Sequence, residues 1–225
     1  MKRLRRILKS PWMSFVYALL AVSLCNAFLV KTFQIPSASM QNTLAEGDRI
    51  LVSRLAYTSD GPQRGDVVVF NQPASWGAEP QLSPLRAAAG WMGDLIGFGP
   101  SNQHALVKRV IGLPGDTVEC CDASGKVTVN GVALNEPYIF EDLPFPPGAG
   151  CTDPKKRSAR CFGPIHVPAG QYLVLGDHRS DSRDSVVSCR GPAAGSDCAV
   201  FVPRSQVVGK VFGILYPFSK WGQGF

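Results

Sequence analysis

The longest hydrophobic feature of the chain is an uncharged run over residues 11–30. An α-helix of that length, at about 1.5 Å per residue, measures about 30 Å, the thickness of a bilayer's hydrocarbon core. The run predicts a single transmembrane helix over residues 11–31, behind a basic tail at residues 1–10. Five of the first nine residues are Lys or Arg, and only Lys31 follows the run directly, which predicts a cytoplasmic N-terminus.

A cleavable secretory signal peptide is the alternative interpretation of this run. Its basic beginning fits, but its apolar part exceeds the about 7–15 residues usual for such peptides. The residues after the run, from Lys31 to Gln34, lack the small side chains of a cleavage site. We therefore predict an uncleaved plasma-membrane anchor with residues 32–225 outside the cytoplasm. A membrane of an organelle of bacterial descent remains open.

Beyond the predicted anchor, short β-branched runs alternate with turns. Residues 48–52 and 66–70 are such runs, bounded by glycine and proline. Residues 126–134 predict a hairpin, because Asn130-Gly131 supplies the positive φ angles of a type I′ turn. The 23 glycines and 18 prolines favour a turn-rich β architecture over a helical bundle.

Two segments interrupt this strand pattern. Residues 72–104 are rich in Pro, Gly and Ala and contain scattered large apolar side chains. Two interpretations remain open for them: a loop packed on its own small core, or an apolar flap that enters the lipid interface. Residues 141–163 form a second, polar and proline-rich excursion. Both are treated as insertions in one extracytoplasmic domain.

Charge and cysteine content restrict the partners and the compartment. The net charge of +6 reflects in part the basic N-terminal end, and no basic stripe with aromatics indicates nucleic-acid binding. Three scattered histidines give no zinc spacing, so we predict neither metal nor cofactor. Six cysteines outside the anchor indicate an oxidising compartment. Cys151–Cys161 and Cys189–Cys198 are the natural pairs; adjacent Cys120 and Cys121 cannot easily bond each other without strain, which leaves their pairing open.

Three polar stretches carry candidate chemistry. Ser37 and Ser39 lie in residues 35–44, just beyond the apolar run. Lys108 lies on a predicted strand and shares its face with Leu106 and Val110. Such a lysine is either an edge-strand guard against aggregation or a desolvated amine with a lowered pKa. Residues 175–185, rich in Asp, Ser and Arg, follow an apolar strand and form either a decorated turn or part of a site.

Taken together and in this order, these stretches resemble the bacterial type I signal peptidases. The matching motifs are Pro-Ser-Ala-Ser-Met at residues 36–40, Gly-Asp at 47–48, Lys-Arg-Val-Ile-Gly-Leu-Pro-Gly-Asp at 108–116, and Gly-Asp to Ser at 176–185. The resemblance implies a mainly β fold of antiparallel sheets behind the transmembrane helix. It also implies a membrane-bound serine endopeptidase that removes signal peptides from exported preproteins, after small residues. Its partners would be preproteins and membrane lipid.

By the same resemblance, Ser39 is the nucleophile and Lys108 the general base of a Ser/Lys dyad. The Ser37 hydroxyl and the Ser39 backbone N–H would form the oxyanion hole, and Ser182 would orient the lysine. Three further charged residues would support the site: Asp177, Arg109 and Asp184. Independently, a lysine can act as a base only when neutral, and lowering its pKa from about 10.4 to about 8 costs about 3 kcal/mol.

The chain departs from the family pattern at three positions. Asn42 and His178 stand where proline and asparagine are common, and Val186 replaces an arginine. Asp184 therefore loses its usual ion-pair partner, for which two residues could substitute: Arg183 or Arg190.

Three rival functions fit part of the pattern. A self-cleaving repressor would carry an N-terminal helix-turn-helix domain, where this chain has the predicted anchor. A peptidase specialised for one exported subunit remains open. A non-catalytic, membrane-anchored β-domain would have no need of Ser39, Lys108 and Ser182 together.

Overall fold

The computed structural model describes residues 10–77, 83–86, 90, 105–153, 155–190, 195 and 197–223. Helix α1 spans Pro11–Phe28. Eleven strands lie in the described residues: β1 (Val30–Gln34), β2 (Arg49–Ser53), β3 (Val67–Asn71), β4 (Ala105–Gly112), β5 (Thr117–Cys120), β6 (Val127–Val129), β7 (Val132–Ala133), β8 (Phe162–His166), β9 (Gln171–Leu175), β10 (Val202–Pro203) and β11 (Val207–Tyr216).

The strands form two antiparallel sheets. The larger sheet has the order β1-β2-β11-β3-β4-β9-β10, and the smaller has the order β7-β6-β5-β8. The predicted hairpin is present between β6 and β7, where Asn130 and Gly131 have φ angles of 52° and 79°. The prediction of a mainly β fold with antiparallel sheets is confirmed.

The N-terminal helix is shorter than the predicted anchor. It ends at Phe28, and β1 begins at Val30, so Lys31 lies on a strand that pairs with β2. Within the part of the chain that the structure describes, no helix reaches the length and apolarity needed to cross a membrane. The transmembrane span predicted over residues 11–31 is not confirmed.

The larger sheet is buried on both faces near its centre. On β3, Val67 and Val69 belong to one apolar cluster, and Val68 and Phe70 belong to another. Successive side chains of a strand point to opposite faces, so this alternation places a core on each side of the sheet. A third cluster joins the smaller sheet to β9. These cores fix β4, which carries Lys108 and Arg109, beside β9, after which the chain continues to Asp177.

Three disulfides link the six cysteines outside α1. The predicted pairs Cys151–Cys161 and Cys189–Cys198 are both present. The adjacent Cys120 and Cys121, whose pairing the sequence left open, are also bonded to each other. Because the clustered sulfurs of Cys121, Cys151 and Cys161 all belong to disulfides, none is a free thiolate ligand.

The two predicted insertions differ in how far the structure describes them. Within residues 72–104, a short 3-10 turn at Ala74–Trp76 packs Trp76 edge-on against Phe70 of β3. Most of the remainder of this insertion lies outside the described residues. The 141–163 excursion is described except for residue 154 and is closed by the Cys151–Cys161 disulfide.

Candidate active site

A short turn between β1 and β2 presents Ser39 at the surface of the core. Ala38–Met40 forms one turn of 3-10 helix, and Met40 and Leu44 are completely buried. The Leu44 N–H donates to the Met40 carbonyl at 2.7 Å, which closes the following turn. Buried Ile35 before it and buried Met40 and Leu44 after it thus fix the backbone around the partly buried Ser39.

Lys108 reaches Ser39 from strand β4. On β4, Lys108 lies opposite Val68 of β3, and only 4% of the lysine is exposed. Its Nζ lies 2.5 Å from Ser39 Oγ, a hydrogen bond between residues far apart in the sequence. The edge-guard interpretation of Lys108 is therefore wrong, because its side chain is buried and directed at a serine.

Burial lowers the pKa of Lys108 from its usual value of 10.5 to about 8. Desolvation is the largest cause, because a charged ammonium is poorly solvated among apolar side chains. The carboxylates of Asp184, Asp177 and Asp181 act in the opposite direction and raise the pKa. With a pKa of about 8, about a tenth of the amine is neutral at pH 7 and can accept a proton.

Ser37 lies beside Ser39 and borders a small cavity. The two hydroxyl oxygens are 3.4 Å apart, and Ser37 is exposed to solvent. The cavity of about 50 Å³ lies between the end of β1 and the first half of β4. Its walls are largely apolar and include Phe33, Ile35 and Leu106. A group that reacts with Ser39 would therefore have a small apolar recess next to it.

Ser182 is close to the dyad, but its hydroxyl makes no contact of the kind predicted from the resemblance. It is buried, and Ser182 Oγ has no hydrogen-bond partner among the described residues. Gly176, at the end of β9, explains its placement. A Cβ atom on Gly176 would lie 2.2 Å from Ser182 Oγ and 2.6 Å from the Ser39 carbonyl oxygen. The turn that carries Ser39, residues 38–44, is called the nucleophile turn below. The absence of a side chain at Gly176 allows Ser182 to pack against this turn.

Replacing Gly176 with alanine is expected to destabilise the protein by about 2 kcal/mol, because the added methyl group overpacks a site bounded by backbone. The backbone of Ser39 would shift, so activity should fall as well. Chemical denaturation measures the free energy of unfolding. Gly163→Ala is the matched control, because a Cβ there meets nothing within 4 Å. Equal stability of the two variants would contradict the close-packing argument.

A buried ionic network lies under the dyad. Arg109, the neighbour of Lys108, donates to both carboxylate oxygens of Asp177 at 2.9 and 2.6 Å. Thr43 donates to Asp177 at 2.5 Å, and the Arg109 guanidinium stacks 3.9 Å above the centre of the Tyr138 ring. The network ties the nucleophile turn, β4 and the end of β9 together.

Asp184 has an ion-pair partner despite the valine at position 186. Arg190 reaches its carboxylate at 3.7 Å, and the N–H groups of Gly176 and Val186 also donate to it at 3.3 Å. Arg183 is exposed, so of the two predicted substitutes it is Arg190 that pairs. A turn of 3-10 helix at Val187–Cys189 brings Arg190 back towards Asp184.

Several residues complete the site without any role that their local sequence indicates. Thr43 and Tyr138 contact the Arg109–Asp177 pair, and a buried ion pair joins Arg179 to Glu136. Thr43 lies within residues 35–44, but no local pattern marks Glu136 or Tyr138. These contacts join residues tens of positions apart, which sequence spacing alone cannot reveal.

Comparison with known proteins gives the class to which this fold and site belong. A family profile described as signal peptidase, peptidase S26, matches residues 8–216. The chain is 35% identical to a probable signal peptidase I of Mycobacterium leprae, over 94% of this chain and 78% of that protein. It is 37% identical to a signal peptidase I of Mycobacterium tuberculosis H37Rv, over 87% of this chain and 68% of that protein.

A solved structure also shows similarity. A signal peptidase I from Enterococcus faecalis V583 is 27% identical, with a TM-score of 0.36, over 67% of this chain and 97% of that one. Because the family profile matches residues 8–216 and the mycobacterial relatives are 35% and 37% identical, the chain belongs to the signal peptidase family, peptidase S26. Within that family it is an enzyme of the signal peptidase I class, a serine peptidase.

Proposed function

We propose that this protein is a membrane-bound endopeptidase that removes signal peptides from exported preproteins with a Ser39/Lys108 dyad. The hydrogen bond between Lys108 Nζ and Ser39 Oγ, at 2.5 Å, is the observation that carries the proposal. A serine hydroxyl becomes a useful nucleophile only when a base can take its proton. A buried lysine with a lowered pKa is suited to that role.

In the proposed reaction, neutral Lys108 takes the Ser39 proton as Oγ attacks the carbonyl carbon of the scissile bond. The negative charge on the carbonyl oxygen is stabilised by the Ser37 hydroxyl and the Ser39 N–H, each worth about 10²–10³ in rate at such sites. The Lys108 ammonium then protonates the leaving amine, and the peptide bond breaks. Water, deprotonated by Lys108, hydrolyses the acyl-enzyme and restores Ser39. Ser182 would support the site by packing against Gly176 beside the backbone of Ser39.

Cleavage after small residues is the specificity that we propose. The cavity beside Ser39 measures about 50 Å³, whereas pockets for drug-sized ligands measure about 300–1,000 Å³. Its apolar walls favour a methyl-sized side chain. A large residue before the scissile bond would have to displace the end of β1 and the first half of β4, which line the cavity.

We further propose that the N-terminal segment attaches the enzyme to the plasma membrane, with the catalytic domain outside the cytoplasm. Large apolar side chains of α1 are exposed among the residues that the structure describes, including Trp12, Phe15, Leu20 and Leu24. Burial in lipid would remove this apolar surface from water. The basic residues before α1 favour a cytoplasmic side for that end.

The function is tested by incubating the purified full chain, in detergent micelles, with a secretory preprotein that has alanine before its cleavage site. We expect cleavage at that bond, read by mass spectrometry of the mature protein. A preprotein that differs only by phenylalanine at that position should be cleaved more than tenfold more slowly, because the cavity is too small. Equal cleavage of the two would contradict the proposed specificity. Absence of cleavage of several preproteins by folded enzyme would contradict the function.

A further inference from the structure

His178 is not a member of the proposed dyad, yet it makes two contacts with the backbone of the turn that carries Ser39. Its backbone N–H donates to the Ser39 carbonyl at 3.1 Å, and its ring Nδ1 lies 3.3 Å from the Ala38 carbonyl. One residue thus holds two consecutive carbonyl groups of the turn that carries the nucleophile. His178 is itself buried, with 9% of its surface exposed.

The 141–163 excursion supports the ring from the other side. Its first residue, Glu141, has a carboxylate oxygen 3.4 Å from His178 Nε2. The preceding Phe140 packs edge-on against the imidazole, with ring centres 5.1 Å apart. The Phe140 N–H also donates to the Asp177 carbonyl at 3.1 Å, which fixes this segment beside β9.

The acceptors around the ring determine how it bonds. The Ala38 carbonyl and the Glu141 carboxylate only accept, so a hydrogen bond to Ala38 requires a hydrogen on Nδ1 and one to Glu141 requires a hydrogen on Nε2. An imidazolium ring donates to both at once, whereas a neutral ring donates to one of them according to its tautomer. Nδ1 thus holds the Ala38 carbonyl in the imidazolium and in the Nδ1–H tautomer, and Glu141 orients the ring at Nε2.

We infer that His178 is a positioning residue, which fixes the Ala38–Ser39 backbone through Nδ1 so that Ser39 Oγ stays within reach of Lys108, and that Glu141 orients its ring. Errors of about 1 Å in the placement of a reacting group can cost about 10²-fold in rate. The inference rests on the proposed Ser39/Lys108 function. It gives the 141–163 excursion a role in catalysis through Glu141.

Two conservative variants separate the two ring nitrogens. In His178→Asn, the side-chain amide can replace Nδ1 and bond to Ala38, but it does not reach Glu141. In His178→Gln, the amide lies where Nε2 was, and the bond to Ala38 is lost. Both keep the backbone bond to Ser39. We expect His178→Gln to lower kcat about tenfold with KM within twofold of the wild type. His178→Asn, which loses only the contact with Glu141, should lower kcat about threefold with KM also within twofold.

A double-mutant cycle tests the role of Glu141. Most of its side chain is exposed, so Glu141→Ala should fold as the wild type does, which thermal unfolding checks. We expect Glu141→Ala to lower kcat about threefold in the wild type and to have no effect in the His178→Asn background, where the contact is already absent. An equal effect in both backgrounds would overturn the role of Glu141.

The same assay distinguishes failure of this inference from failure of the proposed function. Equal kcat for His178→Gln and His178→Asn, with Ser39→Ala inactive, would overturn the positioning role and leave the dyad intact. Activity in Ser39→Ala would overturn the dyad itself. Should His178→Gln fail to fold, the Glu141 cycle still decides whether the ring's orientation affects kcat.

Discussion

Replacing Ser39 with alanine or Lys108 with methionine is expected to lower kcat for preprotein cleavage by at least about 10³-fold, because each change removes one half of the nucleophile–base pair. Methionine fills the space of the lysine stem without an amine, so it tests the base rather than the packing. The measurement is the single-turnover rate of cleavage of a purified preprotein.

Both variants are expected to remain folded. Lys108 is 4% exposed, and its amine bonds to Ser39, so methionine removes a poorly solvated group. The melting temperature of Lys108→Met should equal or exceed that of the wild type. Leu106→Met, on the same strand, is the matched control for a change of apolar shape near the cavity and should retain most activity. Near-normal turnover by folded Lys108→Met would refute the dyad.

The pH dependence of cleavage should follow the lowered pKa of Lys108. Below about 8 the amine is mostly protonated and cannot accept the Ser39 proton, so kcat/KM should rise about tenfold per pH unit from pH 6 and level off above about 8. An unshifted lysine would put the plateau near 10.5 instead. The measurement is kcat/KM for a peptide substrate without titratable groups near the scissile bond.

Removing a single carboxylate near Lys108 tests how the surrounding charges set the pKa of its amine. Asp181 is exposed and raises the pKa of Lys108, so Asp181→Asn should move the rise in kcat/KM to lower pH. Asp60→Asn is the control, because Asp60 is exposed and is not among the charges that act on Lys108. A shift to higher pH in Asp181→Asn, or an equal shift in both variants, would contradict the electrostatic assignment.

Local patterns in the sequence were sufficient for β2, β3, β4 and the β6–β7 hairpin. The β-branched runs before Ser53 and before Asn71 are strands β2 and β3, and the apolar stretch around Lys108 is strand β4. The Asn130-Gly131 pair forms the predicted turn, because positive φ angles are a local property of those residue types. The membrane-spanning prediction rests on length and apolarity alone, and the described α1 is shorter than the predicted span.

Contacts between distant segments were beyond local patterns. The Asp184–Arg190 pair depends on how residues 187–189 turn, which no local pattern indicates. His178 appeared in the sequence only as a departure from the family pattern, yet it lies against the backbone of Ser39. Each of these cases needs the positions of segments that the sequence order does not place side by side.

The sequence by itself determined the β architecture and the set of candidate residues. Strand periodicity, turn-forming residues and the order of the motifs can all be read from short stretches of the chain. The sequence did not decide whether Lys108 guards an edge or acts as a base, since both interpretations place a lysine in an apolar row. Only the tertiary structure decided its burial and its contact with Ser39, because these depend on strands and turns that are far apart in the chain. Desolvation by those neighbours is what lowers the pKa of the amine.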